Sequence, residues 1–599
     1  MFQTFQESAD PSQGPDRLAA LRAEMVAAGL DAFLVPRADA HQGEYVADRD
    51  ARLAWLTGFT GSAGFAAVLA DVAGVFVDGR YRVQVRSQVA DVFSPVDWPE
   101  VQLQDWLKDM LAAGKLGGGK VGFDPWLHTV DQVAKLRASL GEDAELIGSA
   151  NLVDRIWQDQ PAPPAGAAYP YPDALAGRSS AEKRADCAAA LRTAGHDAVV
   201  LTLPDSICWL LNIRGADIPR IPVVLCFAIL HSDGQVDLFV DTAKMADVTL
   251  GDDVRLHAPE GFAPALAAVT GRVRIDAASV PYAVEQALKQ AEVCYGDDPC
   301  VMPKACKTKA EVDGSREAHL RDGAAMCEFL CWLDQQEIAT LTEIDVVTAL
   351  EGFRRATNAL RDISFDTICG SGPNGAIVHY RVTEHSNRKL SEGDVLLVDS
   401  GGQYLDGTTD ITRTVALGDV GTEPREAFTR VLQGMIAISR LRWPEGMAGR
   451  DLDAAARIPL WRAGLDYAHG TGHGVGAYLS VHEGPARLSR VSDVALRAGM
   501  ILSNEPGFYR EGAYGIRIEN LIVVAPAPHP DGATIKSLLE FETLTYVPID
   551  RAMIVADMLS ADERDWIDSY HAKVAELIAP RLSGAAQSWL ANACAPLGS

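Results

Sequence analysis

Four acids and one histidine stand where a folded chain would bring their side chains together. Asp399 closes the apolar run Asp394-Val-Leu-Leu-Val-Asp399-Ser-Gly, and Asp410 lies at the head of Asp410-Ile-Thr-Arg-Thr-Val-Ala-Leu417. Both runs read as strands. If they pair antiparallel around the turn-rich segment Ser400 to Thr409, both carboxylates point to one side of the sheet. Glu505 follows Met500-Ile-Leu-Ser-Asn and precedes Pro-Gly, while Glu519 lies within Gly515-Ile-Arg-Ile-Glu519-Asn-Leu-Ile-Val-Val524. Period-two alternation puts Ile516 and Ile518 on one face of that run, and Arg517 and Glu519 on the other. Charged groups facing inward from an apolar strand need partners. Four carboxylates in one cavity repel each other and raise their own pKa values unless cations lie among them, and two divalent ions supply the matching charge.

The histidine comes from His469-Gly-Thr-Gly-His473-Gly-Val-Gly. Two histidines four apart suit a zinc pair on a helix, but four glycines in eight residues disfavour a helix. One ring is therefore read as a ligand and the other as lining a pocket. The zinc-protease string H-E-x-x-H is absent, because Gly-Pro-Ala follows His482-Glu483. Carboxylates with a single imidazole make an oxygen-rich set suited to Mn²⁺, with Co²⁺, Fe²⁺ or Zn²⁺ as alternatives. Two such ions about 3.5 to 4 Å apart hold a bridging hydroxide at neutral pH and serve hydrolysis.

The elements that position these residues occupy only part of a chain of 599 residues, long enough for three to four domains. An amphipathic helix from Pro15 to Ala28, stopped by Gly29 and followed by Asp31-Ala-Phe-Leu-Val35, recurs as Ser179 to Ala194, Gly195 and Asp197-Ala-Val-Val-Leu201. Trp55-Leu56 and Trp209-Leu210 follow in the two copies, so two related α/β domains lie in series. Gln160-Pro-Ala-Pro-Pro-Ala-Gly separates them as a linker. A third domain starts near residue 308 with a long helix, roughly Glu311 to Glu337. Close to the end, Ser560-x-x-Glu563 is a capping box ahead of a striped helix. With 54 basic against 81 acidic residues, the net charge of −27 repels nucleic acid and anionic membranes. The opening residues carry no secretory pattern and no run is long and apolar enough to span a bilayer, so a cytoplasmic location is expected. Ten scattered cysteines read as reduced packing residues.

Taken in order, Val-Asp399-Ser-Gly, Thr-Thr-Asp410-Ile-Thr-Arg-Thr, the His469 to Gly476 string, Asn-Glu505-Pro-Gly and Gly-Ile-Arg-Ile-Glu519-Asn resemble the pita-bread metallopeptidases. With two creatinase-like domains ahead of them, the chain is similar to the large three-domain Xaa-Pro aminopeptidases of that family, the aminopeptidase P group. The resemblance implies an α/β fold, α+β in its catalytic part. It implies creatinase-like domains over 1–160 and 173–305, a pita-bread domain over 308–542, and a C-terminal extension over 543–599 packed on it. It implies two metal ions, with Asp399 on one, His473 and Glu505 on the other, and Asp410 and Glu519 bridging both. His379 is then placed near the substrate amine and scissile group, and His482 at the tetrahedral intermediate. Glu505 passes a proton to the proline nitrogen, and His469, Arg517 and Tyr509 line the pocket or support the ligands. The implied reaction is hydrolysis by a metal-bridging hydroxide of the bond between an N-terminal residue and a following proline, in a homodimer. A prolidase confined to dipeptides is the alternative, and a silent peptide-binding relative is a weaker one, because such relatives lose ligands that are complete here.

Overall fold

The repeat in the sequence is a repeat of topology. The first copy builds a six-stranded sheet in the order Ser94–Asp97, Ala73–Val77, Phe65–Leu69, Ala32–Pro36, Lys120–Phe123, Glu145–Gly148. The second orders Val254–His257, Val236–Phe239, Phe227–His231, Ala198–Leu201, Gly271–Ile275 and Ala291–Tyr295 in the same way. In each, the two pairings around the third strand are antiparallel and the other three are parallel. The repeated aspartates have a shared task. Asp31 Oδ2 accepts from Lys120 N at 2.9 Å and Asp197 Oδ2 from Arg272 N at 2.8 Å, so each fixes the parallel neighbour of its strand. The opening helices run Gly14–Ala28 and Ser180–Thr193, the second with the reciprocal Ser179–Glu182 cap. The computed structural model describes residues 1–598. Both sheets fall in one compact unit, Ser8–Asp173 with Arg178–Val301.

The other unit comprises Met1–Glu7, Ala174–Gly177 and Met302–Ser599, and its architecture is a helix pair with a sheet, twice over. Helices Lys309–Asp334 and Glu343–Ala356, each opened by a capping box, precede a three-stranded antiparallel sheet of Ile368–Ser371, Val395–Ser400 and Ile411–Ala416. Helices Thr422–Ser439 and Gly449–Trp461 accompany a four-stranded sheet of Arg442–Pro444, Leu538–Thr543, Asn520–Pro526 and Ile501–Asn504. Two expectations need correction. The long helix ends at Asp334 rather than near Glu337, because its apolar stripe ends at Leu333 and the N–H groups of Gln335 and Gln336 turn back to Trp332 and Leu333. The run from Gly515 to Val524 is two strands, not one. Tyr514–Arg517 pairs with Gly507–Arg510, and Asn520–Pro526 pairs with Ile501–Asn504. At the bend, Ile518 N reaches Pro506 O at 3.3 Å and Glu519 N reaches Thr412 O at 3.2 Å, so the backbone stays bonded while changing partners.

Helices Ala561–Ile578 and Gly584–Ala593 bury Ile567, Val574, Ile578 and Leu590 in the same core as Met326, Val347 and Leu397. Ser560 and Glu563 form their cap reciprocally. The ten cysteines are free thiols, and Cys327 and Cys331 are packed in this core. Among the described residues no helix is long and apolar enough to cross a membrane.

Candidate metal centre

Five strand ends converge. Asp399 faces Thr412 in the antiparallel pair of Val395–Ser400 with Ile411–Ala416. Cross-strand partners share a face and so do residues two apart, so Asp399, Thr412 and Asp410 project to one side. In the second sheet, Asn504 pairs with Asn520, and Glu505 and Glu519 leave the end of that ladder side by side. His473 arrives on the short strand Gly472–His473, which is laid against Ser503: a Cβ on Gly472 would stand 1.9 Å from Ser503 O. Only glycine permits that approach, which explains the glycine-rich string around the histidine.

Ligand-type atoms of Asp410, His473 and Glu519 lie within 4.8 Å of one another. His473 Nε2 is 3.6 Å from Asp410 Oδ2 and 3.4 Å from Glu505 Oε1. Its Nδ1 donates to Gly474 O at 3.0 Å, which leaves Nε2 with its lone pair turned to the acids. The two histidines of the string part company. His469 Nδ1 donates to Gly470 O at 2.8 Å, and its Nε2 accepts from the Tyr509 hydroxyl at 3.0 Å.

Arg517 is the hub of the support. Its Nη2 donates to Asp399 Oδ2 at 2.6 Å, Nη1 to the Tyr509 hydroxyl at 2.6 Å and Nε to Thr412 Oγ1 at 3.2 Å. Thr412 in turn donates to Glu519 Oε2 at 2.8 Å. Arg517 and Glu519 thus keep the common side that alternation assigned them, despite the bend between them. These bonds use one oxygen each of Asp399 and Glu519. Asp399 Oδ1, Asp410 Oδ1 and Glu519 Oε1 are buried with no hydrogen-bond donor. Burial, and then the neighbouring acids, push the Asp410 and Glu519 carboxyls well above the usual range, and burial with Asp399 raises Glu505 to about 7, against the opposing pull of Arg517. Unpaired buried oxygens, crowded acids and an imidazole lone pair aimed at them are what a divalent-cation site requires, so the residues present fit two such ions.

The sequence-derived outer residues lie around this cluster. The His482 ring stacks edge-on against His473, with centroids 4.2 Å apart at 75°. Tyr509 joins His469 to Arg517, and burial moves its hydroxyl up to about 12. His379 lies half-buried in the turn Ile377 to Tyr380. The loop before it backs onto the strand of Arg517, where a Cβ on Gly515 would meet Gly375 O at 1.7 Å. Sequence reasoning missed the groups that hold these loops. Glu343 accepts from Ser371 N at 2.7 Å, from both Asn374 and the Tyr380 hydroxyl, and from Arg388 N at 3.2 Å. Thr412 and Ser503, which donates to Glu505 Oε1 at 3.2 Å, were also passed over. Their signal was a hydroxyl residue two positions from an acid at a strand end.

The sequence pattern of metallopeptidase family M24 is matched by residues 313–526, and that of its C-terminal region by 537–597. Two creatinase/prolidase N-terminal domain patterns match 17–156 and 159–311. Aminopeptidase P2 of Arabidopsis thaliana is 39% identical, over 95% of this chain and 86% of its own length. Aminopeptidase P1 of Lotus japonicus is 36% identical over 97% and 99%. The crystal structure of an X-prolyl aminopeptidase from Caenorhabditis elegans, a cytosolic enzyme with a di-nuclear active site, superposes with a TM-score of 0.90 at 32% identity, covering 97% of this chain and all of that one.

Proposed function

The chain belongs to metallopeptidase family M24, and we propose that it is a metal-dependent Xaa-Pro aminopeptidase that removes an N-terminal residue ahead of proline. The observation that carries the reading is the set of three buried carboxylate oxygens without a hydrogen bond, on Asp399, Asp410 and Glu519, the last two grouped with His473. In this reading Asp399 holds one ion, His473 and Glu505 hold the other, and Asp410 and Glu519 lie between. Mn²⁺ suits the oxygen-rich donors. When bound, two divalent ions supply Lewis acidity toward the scissile carbonyl and make water a nucleophile at neutral pH.

The chain's own side chains do the rest. Arg517 adds one positive charge beside the four carboxylates, which would offset the charge of a hydroxide nucleophile and favour a developing oxyanion. His482, stacked on His473, donates to that oxyanion. Glu505, with Oε1 held by Ser503, carries the proton from the nucleophile to the proline nitrogen at Oε2. His379 lies near the substrate's first residue, and His469 and Tyr509 brace Arg517 from the pocket side. Proline has no amide N–H and a fixed φ, so a pocket shaped for its ring selects that bond. A homodimer belongs to the same reading, as does a cytoplasmic location, the latter supported by the C. elegans enzyme being cytosolic.

The test is cleavage of Arg-Pro-Pro and Gly-Pro by chelator-stripped protein with and without Mn²⁺. Release of arginine only when metal is restored, and its loss in Asp410→Ala, is the expected result. Preferential turnover of the dipeptide would make the protein a prolidase instead, and cleavage that survives both chelation and Asp410→Ala would sink the metal mechanism.

A further inference from the structure

Directly after His482, the Glu483 side chain is buried against two lysines. Lys304 Nζ lies 3.0 Å from Glu483 Oε1, and Lys307 Nζ bonds Oε2. All three side chains are 3% exposed or less. Lys307 Nζ also donates to Lys304 O at 2.6 Å. The lysines come from the segment ahead of helix Lys309–Asp334, and that segment is strapped to the base of the Glu505 strand: Lys307 N donates to Gly499 O at 3.0 Å, and Cys306 bridges Met500. On the other side, Glu483 N donates to Gly474 O at 2.7 Å, and Gly474 N to Ala486 O at 2.8 Å, so His473 and His482 lie on two segments zipped together.

A carboxylate met by two ammonium groups is an expensive way to fill an interior. An apolar group of similar volume stabilises a fold as well or better, because each buried charge loses its hydration. What the arrangement does supply is geometry. The Lys307 hydrogen bond to Oε2, with the Lys304 charge beside Oε1, holds the carboxylate in place, and through it the backbone from which the neighbouring ring projects. We propose that Glu483, clamped by Lys304 and Lys307, is a positioning residue that holds His482 in register with the Glu505 strand. The inference rests on the aminopeptidase reading for its kinetic consequence, but its geometric content stands apart from it.

Two variants test it in the full-length chain. Glu483→Asp keeps every charge but is one methylene too short to meet both lysines without moving the backbone. The triple change Lys304→Met, Lys307→Met and Glu483→Gln removes the charges while preserving the volume. Manganese-loaded wild type and variants are compared on Arg-Pro-Pro, with metal content and thermal midpoint measured on the same samples, and the metal-free Glu483→Asp protein is crystallised. Both variants should fold and bind the wild-type complement of metal, while kcat falls at least about tenfold and KM stays within about twofold, since a misplacement of about 1 Å costs up to about 100-fold. The His482 ring should move by about 1 Å from its 4.2 Å stack on His473. Wild-type kcat in either folded variant, a loss confined to metal content or KM, or an unmoved His482 ring overturns the proposal. A wild type that does not cleave the peptide overturns the activity instead, and the ring position then decides the positioning claim by itself.

Discussion

Glu505 makes a quantitative prediction about the protein without its cations. Burial raises its carboxyl from an ordinary 4.5 to about 7. A carboxyl with a higher pKa folded than unfolded holds its proton more tightly in the folded state. Its contribution to stability is complete below the unfolded value and is lost as pH rises through about 7. At 1.36 kcal/mol per unit the loss is about 3 kcal/mol, of which about 2 fall between pH 5.5 and 8.5. That window stays clear of the isoelectric point near 4.9. Glutamine cannot ionise and resembles the protonated acid, so Glu505→Gln removes this titration together with its repulsion of Asp410 and Glu519. In urea unfolding of chelator-stripped protein, the variant should gain about 2 kcal/mol on the wild type between the two pH values. Added Mn²⁺ should reverse the order, because a cation that binds the folded chain alone stabilises it and the variant has lost a ligand. A difference that stays flat or falls with rising pH in the stripped proteins would refute both the raised pKa and the crowding that produces it.

Arg517→Lys should lower manganese affinity and turnover by about 10 to 100-fold, measured by metal titration and steady-state kinetics, since one ammonium group cannot serve Asp399, Tyr509 and Thr412 together. Gly472→Ala should cost about 1 to 3 kcal/mol in denaturant midpoint and weaken manganese binding as well, because its Cβ displaces the strand of His473 from Ser503 O.

Features governed by neighbours in the chain were legible in the sequence. The Ser179 and Ser560 caps depend on a partner three residues away, and both are formed. Asp399 and Asp410 were legible as a pair because one hairpin joins them. Long-range groups left no local trace. Arg517 alternates correctly with Glu519, yet nothing nearby shows that its guanidinium spans 118 residues to Asp399. Glu483 registered only as the middle of a failed zinc motif, because its lysines lie 176 residues or more away in sequence. The bend at Ile518 escaped notice because apolar alternation continues straight through it, and only the change of strand partner reveals it.

The acids come from two separately built sheets, Asp399 and Asp410 from one, Glu505 and Glu519 from the other. Closing one sheet on the other therefore presses like charges against each other, and the folded chain without cations carries that repulsion between the sheets. No half-formed chain can offer the complete set of donors, so cation capture reports a finished fold. Cations held among these acids would offset that repulsion, because they bind only the assembled set of donors. The stability gained from bound metal would then show as resistance to proteolysis as well as in turnover, since a ligand that binds only the folded chain lowers the population of opened forms.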